Sequence, residues 1–270
     1  DYSETKDYQK VLFKPSVAVQ AREVTQLQTI LEKQVERHGE HIFREGSIVS
    51  GMEHTIQKGI YFALIKDTDH NSTAVTIADW KGKTVRGEES GVEGIIHTVA
   101  DGTEATTISD STGPKTIYVN VTRAGTDNIS RHFFSSENLV DTSDSSKKLR
   151  VFDNVNGTIE WMGFGTQLTI DDGIIFAKGK FLIVSKQTII VARYDHMATA
   201  KVGYKVTGTF IDSAADSTLL DPAQGAPNFN APGADRLQYN LTLTTRSLTS
   251  TDLEDFVELF KIEDGVVTKS

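Results

Sequence analysis

Between Ala21 and His38 the apolar side chains Val24, Leu27, Leu31 and Val35 recur at steps of three and four, His38 closes the row, and neither Gly nor Pro interrupts it. That period is helical. The spacing predicts a helix over 21–38, about 27 Å long at ~1.5 Å per residue, with Gly39 as its stop. The apolar stripe is narrow, close to a coiled-coil seam, and Gln26, Gln28, Glu32, Lys33, Gln34, Glu36 and Arg37 cover the other faces. A narrow seam suits self-association; it equally suits a helix lying on its own domain's sheet. Gln34 and His38, close to the seam, fit a register-setting role better than a catalytic one. Upstream, Tyr8, Val11, Leu12, Phe13, Val17 and Val19 lack helical spacing, and Pro15 disfavours a helix at Lys14, so the first twenty residues read as an extended arm. Residues 1–47 thus form an arm and an oligomerisation or docking helix.

Beyond Gly46 the period drops to about two. Ile48-Val49, Ile60–Ile65, Ala74–Ile77, Ile95-Ile96 and Ile117–Val121 alternate or run apolar, with turn signals at Asp101-Gly102, Thr112-Gly113-Pro114 and Ala124–Asp127. This predicts a β module over 48–140. The polar run Asp141–Lys148 offers nothing to bury and is read as the internal boundary. A second β module, 149–246, carries strand-like segments at Thr158–Met162, Gln167–Ile170, Ile174–Ala177, Phe181–Val184, Thr188–Ala192, Val202–Val206 and Leu237–Thr245, with a hairpin signal at Asp172-Gly173. Within it, residues 212–236 form a long loop containing Pro222, Pro227 and Pro232. Loops of that length are usually functional or packed against a neighbour. In the last segment, 247–270, Thr251 and Glu254 form a capping box, and Leu253, Phe256, Val257 and Phe260 fall at helical spacing. A short C-terminal helix is expected there, followed by a connector from Glu263 to Ser270 from which a longer polypeptide would continue. The expected class is therefore mainly β with an N-terminal helix: arm, helix, two antiparallel β modules and a short terminal helix.

Composition narrows the partners. A net charge of -9 without a broad basic face disfavours nucleic acid. No apolar run approaches the roughly 18 residues that cross a bilayer, so membrane insertion is not expected. The chain has no cysteine, which removes disulfides, thiolate nucleophiles and Cys-containing metal sites and leaves stability to packing or assembly. The first residues, Asp1–Lys6, carry no secretory signal. Thr recurs in alternating segments such as Asn240–Thr244, as a half-exposed pleated surface would have it.

Motifs for chemistry are weak. Gly82-Lys83-Thr84 resembles the end of a phosphate-binding loop, but Ile77 stands where that loop requires glycine. Asp67-Thr68-Asp69-His70-Asn71 opens like an EF-hand loop, yet Ser72 and Ala78 occupy the positions of the turn glycine and the bidentate Glu. His38, His41, His54 and His70 make no zinc spacing, no Gly-x-Ser-x-Gly elbow occurs, and the adjacent pair Asp171-Asp172 is explained by turn chemistry. The Asn-x-Ser/Thr triplets at Asn71, Asn120, Asn128, Asn156 and Asn240 read as chance in a Thr-rich chain. No catalytic residue, cofactor site or metal site is expected.

Two stretches carry a resemblance. Tyr8–Gln28, Ile30–Arg37 and His41–Val49 are similar to the amino-terminal segment of a family of bacteriophage virion structural proteins, tail-fibre or baseplate-wedge-like, that contain a domain of unknown function. Gly173–Phe181, Leu219–Gly225 and Asn228–Arg236 continue the likeness, with Lys115–Val119, Phe133-Phe134 and Glu137–Leu139 between them. Pro15-Ser16 departs from it where Pro-Gly is expected. The resemblance implies a subunit of a phage tail, baseplate or fibre-attachment device, located in the virion, commonly homotrimeric and partnered by other tail proteins and fibres. On physical grounds the arm and helix are expected to trimerise or dock through Phe13, Val17, Val19, Val24, Leu27, Leu31, Val35 and His38, with a second contact loop at Pro222, Pro227, Phe229, Pro232 and Arg236. The alternatives are a receptor-binding spike that contacts, and degrades, host surface polysaccharide, and a β-sandwich carbohydrate-binding module. The first would need clustered aromatics and paired carboxylates, whereas the aromatics are dispersed; the long helix disfavours the second.

Overall fold

The computed structural model describes residues 2–102, 113–153, 160–252 and 254–268. Expected features at Thr158-Ile159, Asn156 and Leu253 lie outside them. Helix α1 spans Ala21–Ile42 and opens on a capping box in which the Gln20 N–H donates to Glu23 Oε2 at 2.8 Å. It does not stop at Gly39. That residue is buried against the Phe176 ring, and a Cβ there would lie 2.3 Å from Cε2, so the glycine serves close packing rather than termination. The helix ends at Phe43, which turns extended and donates its N–H to the Gly39 carbonyl. In the arm, Ser16 holds φ at +64°, which explains why glycine would be at ease there.

The strands are β1 (Ile48–Gly51), β2 (His54–Ile65), β3 (Thr84–Gly87), β4 (Glu93–Ala100), β5 (Lys115–Arg123), β6 (Asn138–Asp141), β7 (Asp144–Arg150), β8 (Met162–Ile170), β9 (Gly173–Ala177), β10 (Lys180–Val184), β11 (Gln187–Ala192), β12 (Ala200–Ile211), β13 (Arg236–Arg246), β14 (Phe256–Glu263) and β15 (Val266–Thr268). They pair antiparallel in three sheets, ordered β1-β9-β10, β11-β8-β2-β5-β4-β3-β6-β7 and β13-β12-β14-β15. A mainly β chain with one α-helix among the described residues is the result.

The expected C-terminal helix is not formed. Its residues make β14 and β15, and the supposed connector is their turn. Phe256, Val257, Phe260 and Ile262 are all buried, and a register shift between Val202 and Gly203 lets β14 present Val257 and Phe260 inward although they are three residues apart. That irregularity produced the helical spacing. Asp264 and Gly265, at φ 49° and 70°, are the two left-handed centres of a tight hairpin turn. The polar run 141–148 is likewise no linker. It forms the β6–β7 turn, with Asp141 buried beneath it.

The eight-stranded sheet draws on both expected modules, because β2 lies between β5 and β8. Beyond β7 the chain returns to β2: Val151 bridges Ile65, and the Phe152 N–H donates to the Leu64 carbonyl at 2.9 Å. Strands β2 to β7 thereby curl into a small barrel filled by Ile65, Trp80, Ile96, Ile117, Phe133 and Leu149, among others. A second core joins β8–β11 to the inner face of β12–β14, around Leu168, Ile175, Val202, Tyr204 and Ile262. The Tyr204 hydroxyl in this core has no hydrogen-bond partner among the described residues, and burial pushes its pKa up to about 12. No helix among the described residues is long and apolar enough to cross a membrane.

Candidate functional site

Helix α1 lies on the β9–β10 hairpin by one face. Gly39 is buried there and Lys180 reaches Glu32 at 3.5 Å, whereas Ile30, half a helical rotation away from Gly39, is buried on another side and Leu27 is half-buried. Between these two buried sides one face is open: Val24, Gln28, Leu31, Val35, His38 and Ile42 are all exposed. Their steps of four, three, four, three and four are those of a coiled-coil seam. Four of the five expected helix positions, Val24, Leu31, Val35 and His38, therefore share one outward stripe, while Leu27 is half-buried beside it. Gln28 and Ile42 complete the stripe and were not singled out from sequence. Periodicity could have found them, since they stand seven residues on either side of Val35.

The arm folds back along the helix. The Gln34 amide donates to Gln9 Oε1 at 2.9 Å, and Arg37 pairs with Glu4. From Lys10 to Val19 the only hydrogen bond among the described residues is a local one, the Val17 N–H to the Lys14 carbonyl. Phe13, Val17 and Val19 are exposed, as are Tyr8 and Leu12. The arm thus carries apolar side chains that its own subunit does not cover.

The 212–236 segment joins β12 to β13, which pair in register from Lys201↔Arg246 out to Ile211↔Arg236. Only the inner half of this ribbon belongs to a wider sheet, because β14 pairs with residues 200–205 alone. The loop at the tip is ordered by its own backbone: the Asp221 N–H donates to Ala231, the Asn230 N–H to Asp221 and the Gly233 N–H to Leu219. Asp216 accepts from the Thr218 hydroxyl and N–H, which hold its carboxyl below the usual range. Pro222, Pro227, Phe229, Pro232 and Arg236 all face solvent. They lie on the ribbon and its tip, and none is joined to the helix stripe within one subunit by a hydrogen bond or ion pair among the described residues.

A cleft of about 560 Å³ opens at the mouth of the barrel, where sequence reading placed nothing. Tyr61, Val119, Met162 and the exposed Phe164 form its apolar floor and wall, with Asn120, Arg131 and His132 on the rim. The Tyr61 hydroxyl accepts the Phe133 N–H at 2.9 Å, and burial raises the phenol's pKa. Gly59, at φ 71° in a register shift of β2 between Lys58 and Ile60, opens the cleft's edge. A glycine inside a strand pattern was the available signal. Among the described residues, no group of three or more His, Asp or Glu side chains is placed to hold a metal ion.

A model of the domain of unknown function DUF4815 matches residues 1–78 and 155–270. The chain belongs to the DUF4815 family. The matched parts of this DUF4815 protein hold the arm, α1, β1, β2 and β8–β15, whereas β3–β7 of the barrel lie in the unmatched stretch between them. No curated protein and no solved structure matches it.

Proposed function

We propose that this protein is a structural subunit of a bacteriophage tail, a baseplate or fibre-attachment component that works by docking onto copies of itself and onto neighbouring tail proteins and fibres. The observation that carries the reading is the outward stripe of α1, an apolar seam at heptad spacing on a helix that its own subunit already buries at Ile30 and Gly39. A helix of 22 residues does not expose such a seam without cost, and identical partners around an axis cover it with the least new surface. The resemblance of the arm, the helix and the 219–236 segment to phage virion proteins supports the same reading, with a homotrimer as the assembly.

Purified protein followed by light scattering and sedimentation is expected to shift from monomer to trimer with concentration, and labelled antibody is expected to decorate virion tails. Decoration of the capsid alone, or a monomer at every concentration, would refute the reading. The exposed Phe164 beside Asn120 and Arg131 favours a second reading, a receptor-binding spike that holds host surface polysaccharide and cleaves it. Shortening of that polysaccharide on incubation with the protein is the result that would select it.

A further inference from the structure

The β12–β13 ribbon carries its core-facing side beyond the core. On that side Tyr204 pairs with Leu243 and Val206 with Leu241, all within or against the packed interior. The same face continues outward as Gly208 paired with Tyr239 and Phe210 paired with Leu237. There the interior has ended: Phe210 is 79% exposed and Leu237 is 50% exposed. A two-stranded ribbon is marginal in water unless something covers a face. Among the described residues, the outer edge of β13 is capped only near its base, where the Gln187 side chain bonds the Leu241 carbonyl and the Leu243 N–H.

Two segments of the chain have complementary chemistry. Residues 212–235, at the ribbon's tip, contain Asp212, Asp216, Asp221 and Asp235 and no Lys or Arg. Residues 8–22 of the arm contain Lys10, Lys14 and Arg22 and no Asp or Glu, together with the exposed Tyr8, Leu12 and Phe13. In an extended arm Lys10, Leu12 and Lys14 share one side. An apolar side chain between two cations therefore faces outward from the arm, and an apolar face beside four carboxylates waits on the ribbon.

We infer that the arm of one subunit crosses the outer ribbon of a second copy, with Leu12 against Phe210 and Leu237 and with Lys10 and Lys14 against the acidic tip. The inference rests on the reading that the chain assembles with itself. It adds which surfaces meet, and it makes the contact a heterologous one between different patches of two identical chains. Opposite charge selects the arm over other extended segments and speeds encounter.

The absence of native cysteine makes the test direct. Chains carrying Val11→Cys and chains carrying Ala214→Cys are co-expressed, purified together and treated with a bifunctional maleimide. A cross-linked pair joining position 11 to position 214 is expected, in at least about tenfold excess over the 11–11 and 214–214 pairs. Adding Lys10→Glu and Lys14→Glu to the arm is expected to cut the mixed pair about tenfold, whereas Lys10→Arg with Lys14→Arg retains it; the arm is exposed, so neither change touches a core. A trimer by mass that yields no mixed pair, or yields as much of the 11–11 pair, overturns the arm contact and leaves the tail-subunit reading standing. A chain that stays monomeric and uncross-linked overturns both.

Discussion

Replacing Leu31 by Ala separates the helix's two faces energetically. Leu31 is 58% exposed in the subunit, so more than half of its surface remains to be buried by a partner. Full burial of such a side chain is worth about 1.5–3 kcal/mol, which leaves about 1–2 kcal/mol per chain for the interface. Three chains around one axis lose about 3–5 kcal/mol, on the order of a thousandfold in the association constant. The subunit itself loses almost nothing, because Ala is at least as good a helix former as Leu at an exposed position. Ile30→Ala is the opposite case. Ile30 is 3% exposed within the subunit, and its truncation is expected to cost the subunit about 2–4 kcal/mol at any concentration. Sedimentation velocity over a concentration series reads the first effect, and thermal unfolding at a dilution where the wild type is monomeric reads the second. Leu31→Ala protein that associates with wild-type affinity, or that melts as early as the Ile30→Ala variant, refutes the assignment of the outward stripe as an interface.

Three further substitutions test the packing that positions these surfaces. Gly39→Ala adds a Cβ 2.3 Å from the Phe176 ring, which is held between Phe43 and Phe181 at 5.9 and 5.3 Å. The overlap is expected to outweigh the roughly 1 kcal/mol gained in helix propensity, for a net loss of about 1–2 kcal/mol by denaturant titration, and a stabilised variant would show that the ring yields. Tyr61→Phe strips the buried Phe133 N–H of its acceptor and is expected to cost about 1–3 kcal/mol, with urea unfolding as the readout. Burial alone would raise the Asp141 pKa, but the Ser143 hydroxyl and N–H and the Lys83 ammonium at 3.0 Å bring it down to about 2. A carboxyl depressed on folding stabilises above its unfolded pKa, near 3.8, and loses that contribution as pH falls toward 2. The wild type is therefore expected to lose about 1–2 kcal/mol more than Asp141→Asn between about pH 5 and pH 2, and parallel stability curves would refute the assignment.

Local periodicity made α1 legible, and the same method misread the C-terminus for an identifiable reason. In α1 each apolar residue answers to one helix face, so steps of three and four report a real stripe. In β14 the spacing of Phe256, Val257 and Phe260 came from a register shift against β12, which a window of sequence cannot distinguish from a helical turn. Asp264-Gly265 was the better local signal, a two-residue hairpin turn flanked by β-branched residues. Gly39 and the 141–148 run failed in a related way. Glycine and polar runs are read as breaks by default, whereas here one admits an aromatic ring and the other turns a hairpin over a buried Asp141. The barrel depends on Val151 returning to Ile65, 86 positions away, and no local pattern encodes that closure. The residues of the proposed docking surfaces were easier to pick out, because an exposed apolar residue leaves the same mark in sequence as a buried one. Their separation into an outward and an inward set required the sheet beneath the helix.

The two proposed contacts constrain each other through symmetry. A coiled-coil seam places like residues around a common axis, so α1 fixes the rotation between neighbouring subunits. An arm resting on a neighbour's ribbon is heterologous, and a heterologous contact alone can propagate into an open filament when its rotation does not close. Within each chain the arm is tied to the helix at Gln9–Gln34 and Glu4–Arg37, so the free stretch 10–19 leaves and re-enters beside the seam. Were the seam threefold, the rotation it imposes would also be the rotation through which each arm reaches the next ribbon, and three copies would close the ring. The seam supplies closure, and the acidic tip supplies the choice of partner surface. A subunit built this way has uncovered apolar surface while alone and covered surface once assembled.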